Sequence, residues 1–235
     1  MGCMIKLIKI FLKICIVVVL ILLLNGFLLY RNAVSNVSVE QKVSEITSKS
    51  NYVEIQDISE YLKDYIVQVE DKRFYTHYGI DIIAILGSMI ENLGAGYYKY
   101  GGSTITQQLA KNMYFTNEKK MTRKIAEMFV AFKLESEYSK DKILELYLNI
   151  IYFGNGYYGI KEASHGYFNV SPKNLNKYQS SLLAGVPQAP SVYNLKNKES
   201  KAMKKRYFSV LNRLVDSGRI SSDEREEFKR MYLVP

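Results

Sequence analysis

The stretch from Gly101 to Asn112 reads GGSTITQQLAKN, and its pattern predicts a loop that leads into a polar helix. The glycines allow a close approach of the backbone to a ligand or a positive φ, and Ser103 and Thr104 are residue types that cap a helix start. Free N–H groups at such a start attract anions, and Lys111 adds a positive charge about two turns later. A capped surface helix would begin in the same way. The density of polar side chains nevertheless favours a helix whose polar groups face a ligand.

The length and composition limit the classes of protein that the chain can represent. With 235 residues, 48% of them hydrophobic, the chain can bury a core as one domain plus an anchor or as two small lobes. The formal net charge of +9 favours anionic partners, such as a membrane surface, a phosphorylated substrate or a nucleic acid. No helix-turn-helix, zinc-finger or RNP pattern is visible, so no nucleic acid partner is expected. The two cysteines, Cys3 and Cys15, both precede residue 31. The sequence from residue 31 onward therefore has neither a disulfide framework nor a cysteine-based metal site.

An apolar run at residues 10–30 is interrupted only by one lysine and one asparagine. As a helix this run spans about 31 Å, which is enough to cross the hydrocarbon core of a bilayer. Lys6, Lys9 and Lys13 lie at its start, so the positive-inside rule predicts a cytoplasmic N-terminus and an extracytoplasmic domain. The alternative is a cleaved signal peptide with a site at residues 33–35. The run is longer than a usual signal core, so we expect a retained anchor in the cell membrane.

The rest of the chain has helical periodicity, with apolar residues at spacings of three and four and no sustained alternation. Besides the stretch from Gly101, helices are predicted at residues 58–69, 82–93, 121–137, 140–150 and 160–168, after Ser171 and Pro172, and near 200–217 and 222–231. In the helix at 121–137, the expected core stripe is Ile125, Met128, Phe129, Phe132 and Leu134. The fold class is therefore mainly α. We predict a cytoplasmic tail at 1–9, a transmembrane anchor at 10–30, a linker at 31–56 and one further domain at 57–235.

Five segments between residues 65 and 195 carry a more specific pattern. The first is Glu70-Asp71 with Phe74, His77, Gly79 and Asp81; the second is Gly101–Asn112; the third is Arg123, Lys124 and Glu127; the fourth runs from Lys142 to Gly154; and the fifth runs from Leu182 to Tyr193. In this order they resemble the five signatures of the peptidoglycan glycosyltransferases, the lysozyme-like transglycosylase family shared with class A penicillin-binding proteins. Five ordered signatures are far more specific than a single motif.

Three positions differ from the family's usual pattern. Lys119 stands where an arginine is common, so that a bidentate phosphate contact would become a point charge. Gln179 stands where many relatives have a glutamate, and Leu195 replaces a common proline. None of these changes removes a group that the family's reaction needs.

The resemblance implies a two-lobed helical domain, lysozyme-like in fold, behind one transmembrane helix. A small lobe at about residues 75–100 is expected to touch the bilayer. The helix at 82–93 fits this role because its apolar residues cover more than one face: Ile82, Ile83, Ile85, Leu86, Met89 and Ile90. The chain ends at Pro235 and has no Ser-Asp-Asn or Lys-Thr-Gly motif, so we expect the monofunctional form without a transpeptidase domain.

The resemblance also implies a reaction: polymerisation of lipid II into β-1,4 glycan strands of peptidoglycan, by inverting transfer with release of undecaprenyl diphosphate. A sugar hydroxyl needs a base to take its proton, and a leaving diphosphate needs cations or N–H donors. By resemblance Glu70 is the base and Glu127 is the second catalytic carboxylate. Glu127 would act through a divalent cation (Mg²⁺ or Mn²⁺) or by orienting basic side chains. From the residues alone, the favoured interpretation of Glu70 is a solvated glutamate paired with Lys72 or Arg73, and Glu127 could be an exposed partner of Arg123 or Lys124.

The candidate substrate-binding residues follow from the same signatures. The expected ligands of the diphosphate are Lys111, Lys119, Arg123 and Lys124, and the expected hydrogen-bond donors are Ser103, Gln107, Gln108 and Asn112. Asp71, Phe74, His77 and Thr104 complete the candidate set. Of these, His77 is expected to be a structural hydrogen-bonding residue rather than a second base, and the sequence predicts no set of metal ligands.

The expected partners are lipid II, the growing lipid-linked glycan, the bacterial membrane, and transpeptidases or other wall-synthesis proteins. Two other functions stay open. A lysozyme-like muramidase or lytic transglycosylase would also use two carboxylates, but it explains neither the basic third signature nor the anchor. A non-catalytic membrane scaffold for wall synthesis would tolerate Glu70→Gln and Glu127→Gln without a change in phenotype.

Overall fold

A computed structural model describes residues 2–95, 102–116, 118 and 120–233, without the side chains of residues 2, 3 and 91–95. The helices are α1 (Gly2–Asn36), α2 (Val39–Thr47), α3 (Glu60–Glu70), α4 (Ile82–Ala95), α5 (Ile105–Tyr114), α6 (Met121–Glu137), α7 (Lys140–Ile150), α8 (Ile160–Phe168), α9 (Lys177–Ala184), α10 (Lys201–Asp216) and α11 (Ser222–Leu233). Short 3-10 helices lie at Ile55–Asp57, Pro172–Asn174 and Leu195–Asn197. No regular strand occurs in these described ranges, which confirms the mainly α class.

The helix starts follow the capping chemistry of the sequence, with one correction. Thr104 caps α5 in a capping box with Gln107, as expected for the stretch from Gly101. The prediction that an α-helix begins at Ser171 and Pro172 was wrong, because these residues begin only the 3-10 helix at Pro172–Asn174. α9 begins about one turn later, where the Asn176 side chain accepts a hydrogen bond from the backbone N–H of Gln179.

The core is organised around α5, which packs between α6 and α7, while α3 packs on α9 and α10. Despite its many polar side chains, α5 has a core face. Ile105, Leu109 and Ala110 are fully buried, and Met113 is nearly so. These four residues occur at spacings of four, one and three, which places them on one face of the helix, together with the buried Thr106. Gln107, Gln108 and Lys111 lie on the opposite face, so α5 has both a core face and a site face.

Residues of the predicted linker at 31–56 contribute to this core. α2 buries Val39, Val43 and Ile46, although most of its other residues are polar. After α2, the side chain of Asn149 in α7 exchanges two hydrogen bonds of 2.8 Å with the backbone of Val53. This segment is therefore packed against the domain, while the predicted boundaries of the tail, anchor and domain stay predictions.

α1 is the one helix among the described residues that is long and apolar enough to cross a membrane, with a mean hydropathy of 3.1 over its most apolar window. None of that window is buried. Only the last turns of α1 pack against α6, where the rings of Phe27 and Tyr30 contact Phe129 at centroid distances of 5.3 and 5.6 Å. The expected stripe of α6 is corrected accordingly. Phe129 faces α1, whereas Val130 and Ala131 take the core positions.

The contact between α1 and α6 depends on Gly26. A Cβ atom at this position would lie 2.4 Å from Cγ2 of Ile125 and 3.1 Å from the backbone oxygen of Thr122. Such distances are too short for any side chain, so the two helix backbones approach closely only because Gly26 has none.

We expect Gly26→Ala to destabilise the protein by roughly 1–3 kcal/mol, because the helices must separate to accept the methyl group. Thermal unfolding in detergent micelles would measure this loss. Gly87→Ala in α4 is the matched control, since a Cβ there meets nothing within 4 Å; it should be neutral or stabilising by up to about 1 kcal/mol. Ile125→Ala should restore part of the stability of Gly26→Ala. Equal behaviour of the two alanine variants would contradict the close contact.

Candidate active site

Two cavities meet at the C-terminal end of α3. The first, the α4 cavity, has a volume of about 560 Å³ and lies between α3 and Ile83, Ala84, Gly87 and Ser88 of α4. The second, the cation cavity, has a volume of about 620 Å³ and contains the following charged residues: Lys111, Arg123, Lys124, Glu127 and Arg206. Both are lined by Val69, Glu70, Ser103 and Arg213. Glu70 is therefore the carboxylate that faces both spaces.

Both carboxylate oxygens of Glu70 accept hydrogen bonds, although its side chain is only 8% exposed. Oε1 accepts from Nη2 of Arg206 at 3.0 Å, and Oε2 accepts from Nε2 of Gln108 at 3.1 Å. The Tyr147 hydroxyl donates to Oε1 of Gln108, which fixes the orientation of the Gln108 amide. The alternative of a solvated Glu70 paired with neighbouring basic residues was wrong. Arg73 pairs with Asp81 instead.

Arg206 is the site residue that the sequence analysis missed. It lies in α10, outside the five signatures, and its Nε donates a hydrogen bond of 2.9 Å to the backbone oxygen of Gly185. Burial lowers the pKa of the Arg206 guanidinium, while the negative charge of Glu70 opposes this shift. A local signal was present. Arg206 falls within the buried stripe of α10, between Met203 and Val210, where an arginine needs a partner.

Glu127 is 1% exposed and holds two basic side chains from its own helix, α6. Its Oε1 accepts a hydrogen bond from Arg123, and its Oε2 accepts one of 2.8 Å from Lys124. Lys124 also donates to the hydroxyl of Ser103 at 2.8 Å. The ion pairs at spacings of three and four are thus present, but they are buried rather than on an exposed helix face. Glu127 orients the two cations towards the cavity.

The three basic residues of this cluster, Lys111, Arg123 and Lys124, outnumber their one carboxylate. Burial, followed by the positive charges of Arg123 and Lys111, lowers the pKa of Lys124 to about 8. Its ion pair with Glu127 acts in the opposite direction. Burial and the charge of Arg123 also lower the pKa of Lys111. A cluster whose members repel one another in this way is suited to an anion that carries more than one negative charge.

The described side chains do not form a cage for the divalent cation that the resemblance implies. No group of three or more His, Cys, Asp or Glu residues lies close enough together among them to hold a metal ion. Glu127, the carboxylate that the resemblance links to the cation, has both oxygens engaged by Arg123 and Lys124. This donor set does not fit Mg²⁺ or Mn²⁺, which require several oxygen ligands.

Several candidate residues form hydrogen bonds that connect the first two signatures, so their polar groups are already engaged. The carboxylate of Asp71 accepts a hydrogen bond of 2.9 Å from the backbone N–H of Ile105 and contacts Nε2 of His77 at 2.9 Å. Thr104 donates to the backbone oxygen of Gly79 at 2.7 Å and accepts from Gln107. The expectation of a structural His77 agrees with this arrangement. Asp71, His77 and Thr104 position the end of α3 against the start of α5.

Phe74 and Asn112 are separate from the cation cluster. Phe74 is fully buried in the core, with the Lys140 ammonium 4.6 Å from its ring centroid, so its expected contact with substrate is corrected to a packing role. Asn112 is exposed and donates to the backbone oxygen of Gln108. Lys119 lies outside the described residues. Gly102 approaches α4 instead of a ligand, since a Cβ there would lie 2.9 Å from Cα of Ile85.

Comparison with known proteins shows the family. A transglycosylase family model matches residues 38–215, which include α2, both glutamates and most of α10. The chain belongs to the transglycosylase family. It is 41% identical over 180 residues to penicillin-binding protein 1A of Neisseria flavescens, covering 76% of this chain and 22% of that protein. It is 43% identical over 190 residues to penicillin-binding protein 1F of Bacillus subtilis (strain 168), covering 79% and 26%. The transglycosylase chain thus spans about a quarter of the length of these relatives.

The lowered pKa of Lys124 gives this transglycosylase a testable pH dependence. Lys124 loses its charge as the pH rises through its pKa, so the affinity for a diphosphate diester should fall about tenfold between roughly pH 8 and the ordinary lysine value of 10.5. Isothermal titration calorimetry of the full chain would follow this loss. Lys124→Arg keeps its charge, and we expect it to move the loss to higher pH.

Lys120→Arg is the matched control, because its side chain is 66% exposed and pairs with Glu118. This variant should retain the wild-type pH dependence. If Lys124→Arg and Lys120→Arg both follow the wild-type curve, Lys124 is not the group that titrates.

Proposed function

We propose that the chain polymerises lipid II into β-1,4 glycan strands of peptidoglycan. The observation that carries this proposal is the position of the buried Glu70 carboxylate at the junction of two cavities, one of which is lined by Lys111, Arg123 and Lys124. A transferase that joins two large substrates needs two binding spaces and a reacting centre between them. Membership of the transglycosylase family supports glycosyl transfer as the reaction.

In this proposal the growing glycan lies in the cation cavity as the donor. Its diphosphate leaves with the electron pair of the bond to the anomeric carbon, and the negative charge that develops is stabilised by Lys111, Arg123 and Lys124. Glu127 holds two of these cations in place, which lowers the reorganisation needed during the reaction. The charge is therefore matched by groups that are already oriented before the donor arrives.

The incoming lipid II lies in the α4 cavity as the acceptor. Glu70 takes the proton of the acceptor's 4-hydroxyl as the oxygen forms its bond to the anomeric carbon of the donor. A single displacement from the opposite face inverts the α configuration to β, so no covalent intermediate with the enzyme is required. The carboxylic acid of Glu70 then returns its proton to solvent before the next cycle.

The orientation relative to the membrane is also part of the proposal. α1 would cross the cell membrane once, with the N-terminal lysines in the cytoplasm and residues 57–235 outside. α4 supports contact of the small lobe with the bilayer, because its apolar side chains are 55–71% exposed at Ile82, Ile83, Leu86, Met89 and Ile90. Since the α4 cavity is bounded by this helix, a lipid-linked acceptor could enter without leaving the membrane.

The partners proposed are lipid II, the growing lipid-linked glycan and the bacterial membrane. Transpeptidases and other wall-synthesis proteins are further partners that the sequence predicts. The divalent cation also stays a prediction. Adding a chelator during polymerisation of labelled lipid II would test it. Its ligands would have to include oxygens other than those of Glu127, which are engaged by Arg123 and Lys124.

We expect Glu70→Gln to reduce polymerisation of labelled lipid II by about 10²–10⁴-fold, because the amide cannot take the proton. Gel electrophoresis of the glycan product would measure the rate. Glu60→Gln is the matched control on the same helix, with a side chain that is 80% exposed, and it should behave like the wild type. Polymerisation by Glu70→Gln at the wild-type rate would refute the assignment of the base. Digestion of mature cell wall would instead indicate a muramidase.

The exposed face of α4 gives a second prediction. Leu86→Asp combined with Ile90→Asp should lower polymerisation in liposomes roughly tenfold or more, because the charges disfavour contact with the bilayer. The rate in detergent micelles should change much less. Met231→Asp in α11 is the control, since Met231 is also an exposed apolar residue, and should leave both rates unchanged. An equal loss in liposomes and micelles would contradict membrane contact by α4.

A further inference from the structure

We infer that Arg206 is a positioning residue that holds the Glu70 carboxylate in the correct orientation to act as the base. This inference rests on the proposed function. Arg206 belongs to none of the five signatures, and 136 residues separate it from Glu70, yet it forms the ion pair with this carboxylate at 3.0 Å. Both side chains are buried, with 6% exposure for Arg206 and 8% for Glu70. Water therefore contributes little to stabilising either charge.

The geometry of Arg206 fixes Glu70 from a second helix. Nε of Arg206 donates to the backbone oxygen of Gly185, next to the end of α9, while Nη2 donates to Glu70. The planar guanidinium thus connects two points at once, which a flexible ammonium cannot do with the same geometry. Gln108 holds the other carboxylate oxygen from α5. Glu70 is therefore fixed between α5 and α10 at the junction of the cavities.

The position of Glu70 explains why a cation is needed. Glu70 is the last residue of α3, where the partial negative charge of the helix end disfavours a carboxylate. Asp71 follows directly and adds a negative charge. From the other elements, Gln108 is neutral, and burial raises the pKa of Tyr147 well above its ordinary value, so that its hydroxyl stays protonated. These groups orient the carboxylate but do not neutralise it.

The positive charges near Glu70 differ in how directly they act. Arg213 in α10 donates to the backbone oxygen of Val69 rather than to the carboxylate. On the far wall of the cation cavity, Arg123 and Lys124 are paired with Glu127, and Lys111 lies beside them. Of the two cavities, Lys72 lines the α4 cavity but not the cation cavity, and its side chain is exposed. Among the described side chains, Arg206 is the one whose charge is in direct contact with Glu70.

The ion pair has a consequence for the proton cycle. When Glu70 takes the acceptor's proton it becomes neutral, while Arg206 is still held by the oxygen of Gly185. The unbalanced guanidinium then favours release of that proton to solvent, which restores the carboxylate. Arg206 therefore helps to return Glu70 to its carboxylate form after each transfer.

The first test is the pH profile of kcat/KM for polymerisation of lipid II by the full chain. In Arg206→Met, loss of the neighbouring positive charge should move the acid limb of the profile to higher pH. The loss of rate should be largest at low pH and smallest at the alkaline end. Arg206→Lys keeps the charge, so its acid limb should stay near that of the wild type even if its rate is lower. Lys205→Met removes one exposed charge from the same helix and should leave the profile unchanged.

The second test does not depend on activity. Arg206→Met should lower the thermal unfolding temperature by about 5 °C or more in the wild-type chain, because it leaves a buried carboxylate unpaired. In the Glu70→Gln chain the same substitution should cost clearly less. An acid limb that does not move, or an equal loss of stability in the two backgrounds, would overturn the inference and leave Arg206 as a tether of α10 to Gly185. If Glu70→Gln polymerises normally, the proposed base is wrong and the inference falls with it, while the unfolding data would still report the ion pair.

Discussion

The structure depends on keeping two carboxylates charged where little water reaches them. The side chains of Glu70 and Glu127 are 8% and 1% exposed. A buried charge without a partner is strongly destabilising, so each must be matched by cations that the fold brings to it. Glu127 finds Arg123 and Lys124 within its own helix. Glu70 finds Arg206 in a helix near the other end of the chain, which requires α3 and α10 to pack together.

Asp71 is a third buried carboxylate, and it has a different role from its neighbour Glu70. Asp71 caps the first free N–H of α5 and contacts His77, whereas Glu70 lines both cavities. The neighbouring acids therefore serve different purposes: one joins α3 to α5, and the other is available for proton transfer. Because the backbone links them directly, the framework contact of Asp71 also fixes the place from which Glu70 acts.

Much of the helical architecture follows from local chemistry in the sequence. The bounds of α6 and α7 were predicted correctly because capping residues and apolar spacing are properties of neighbouring residues. The ion pairs of Glu127 could be anticipated for the same reason. The predictions failed for contacts between residues that are far apart in the sequence. The partner of Glu70 lies 136 residues away, so no pattern near Glu70 in the sequence points to it. The faces of α6 could not be assigned either, because Phe129 is buried by α1 rather than by the domain core.

The close contact of Gly26 with Ile125 fixes how α6 sits on the anchor helix α1. Ile125 is flanked in α6 by Arg123 and Lys124, which bind the diphosphate in our proposal, and by Glu127, which holds these two cations. With α1 in a bilayer, this direct backbone contact sets the height and the rotation of the cation cluster above the lipid. One residue added to the helix below Gly26 would raise the cluster by about 1.5 Å and turn it by about 100°. The anchor thus acts as a spacer of fixed length. The number of residues in α1 sets the distance between the lipid headgroups and the proposed catalytic carboxylate.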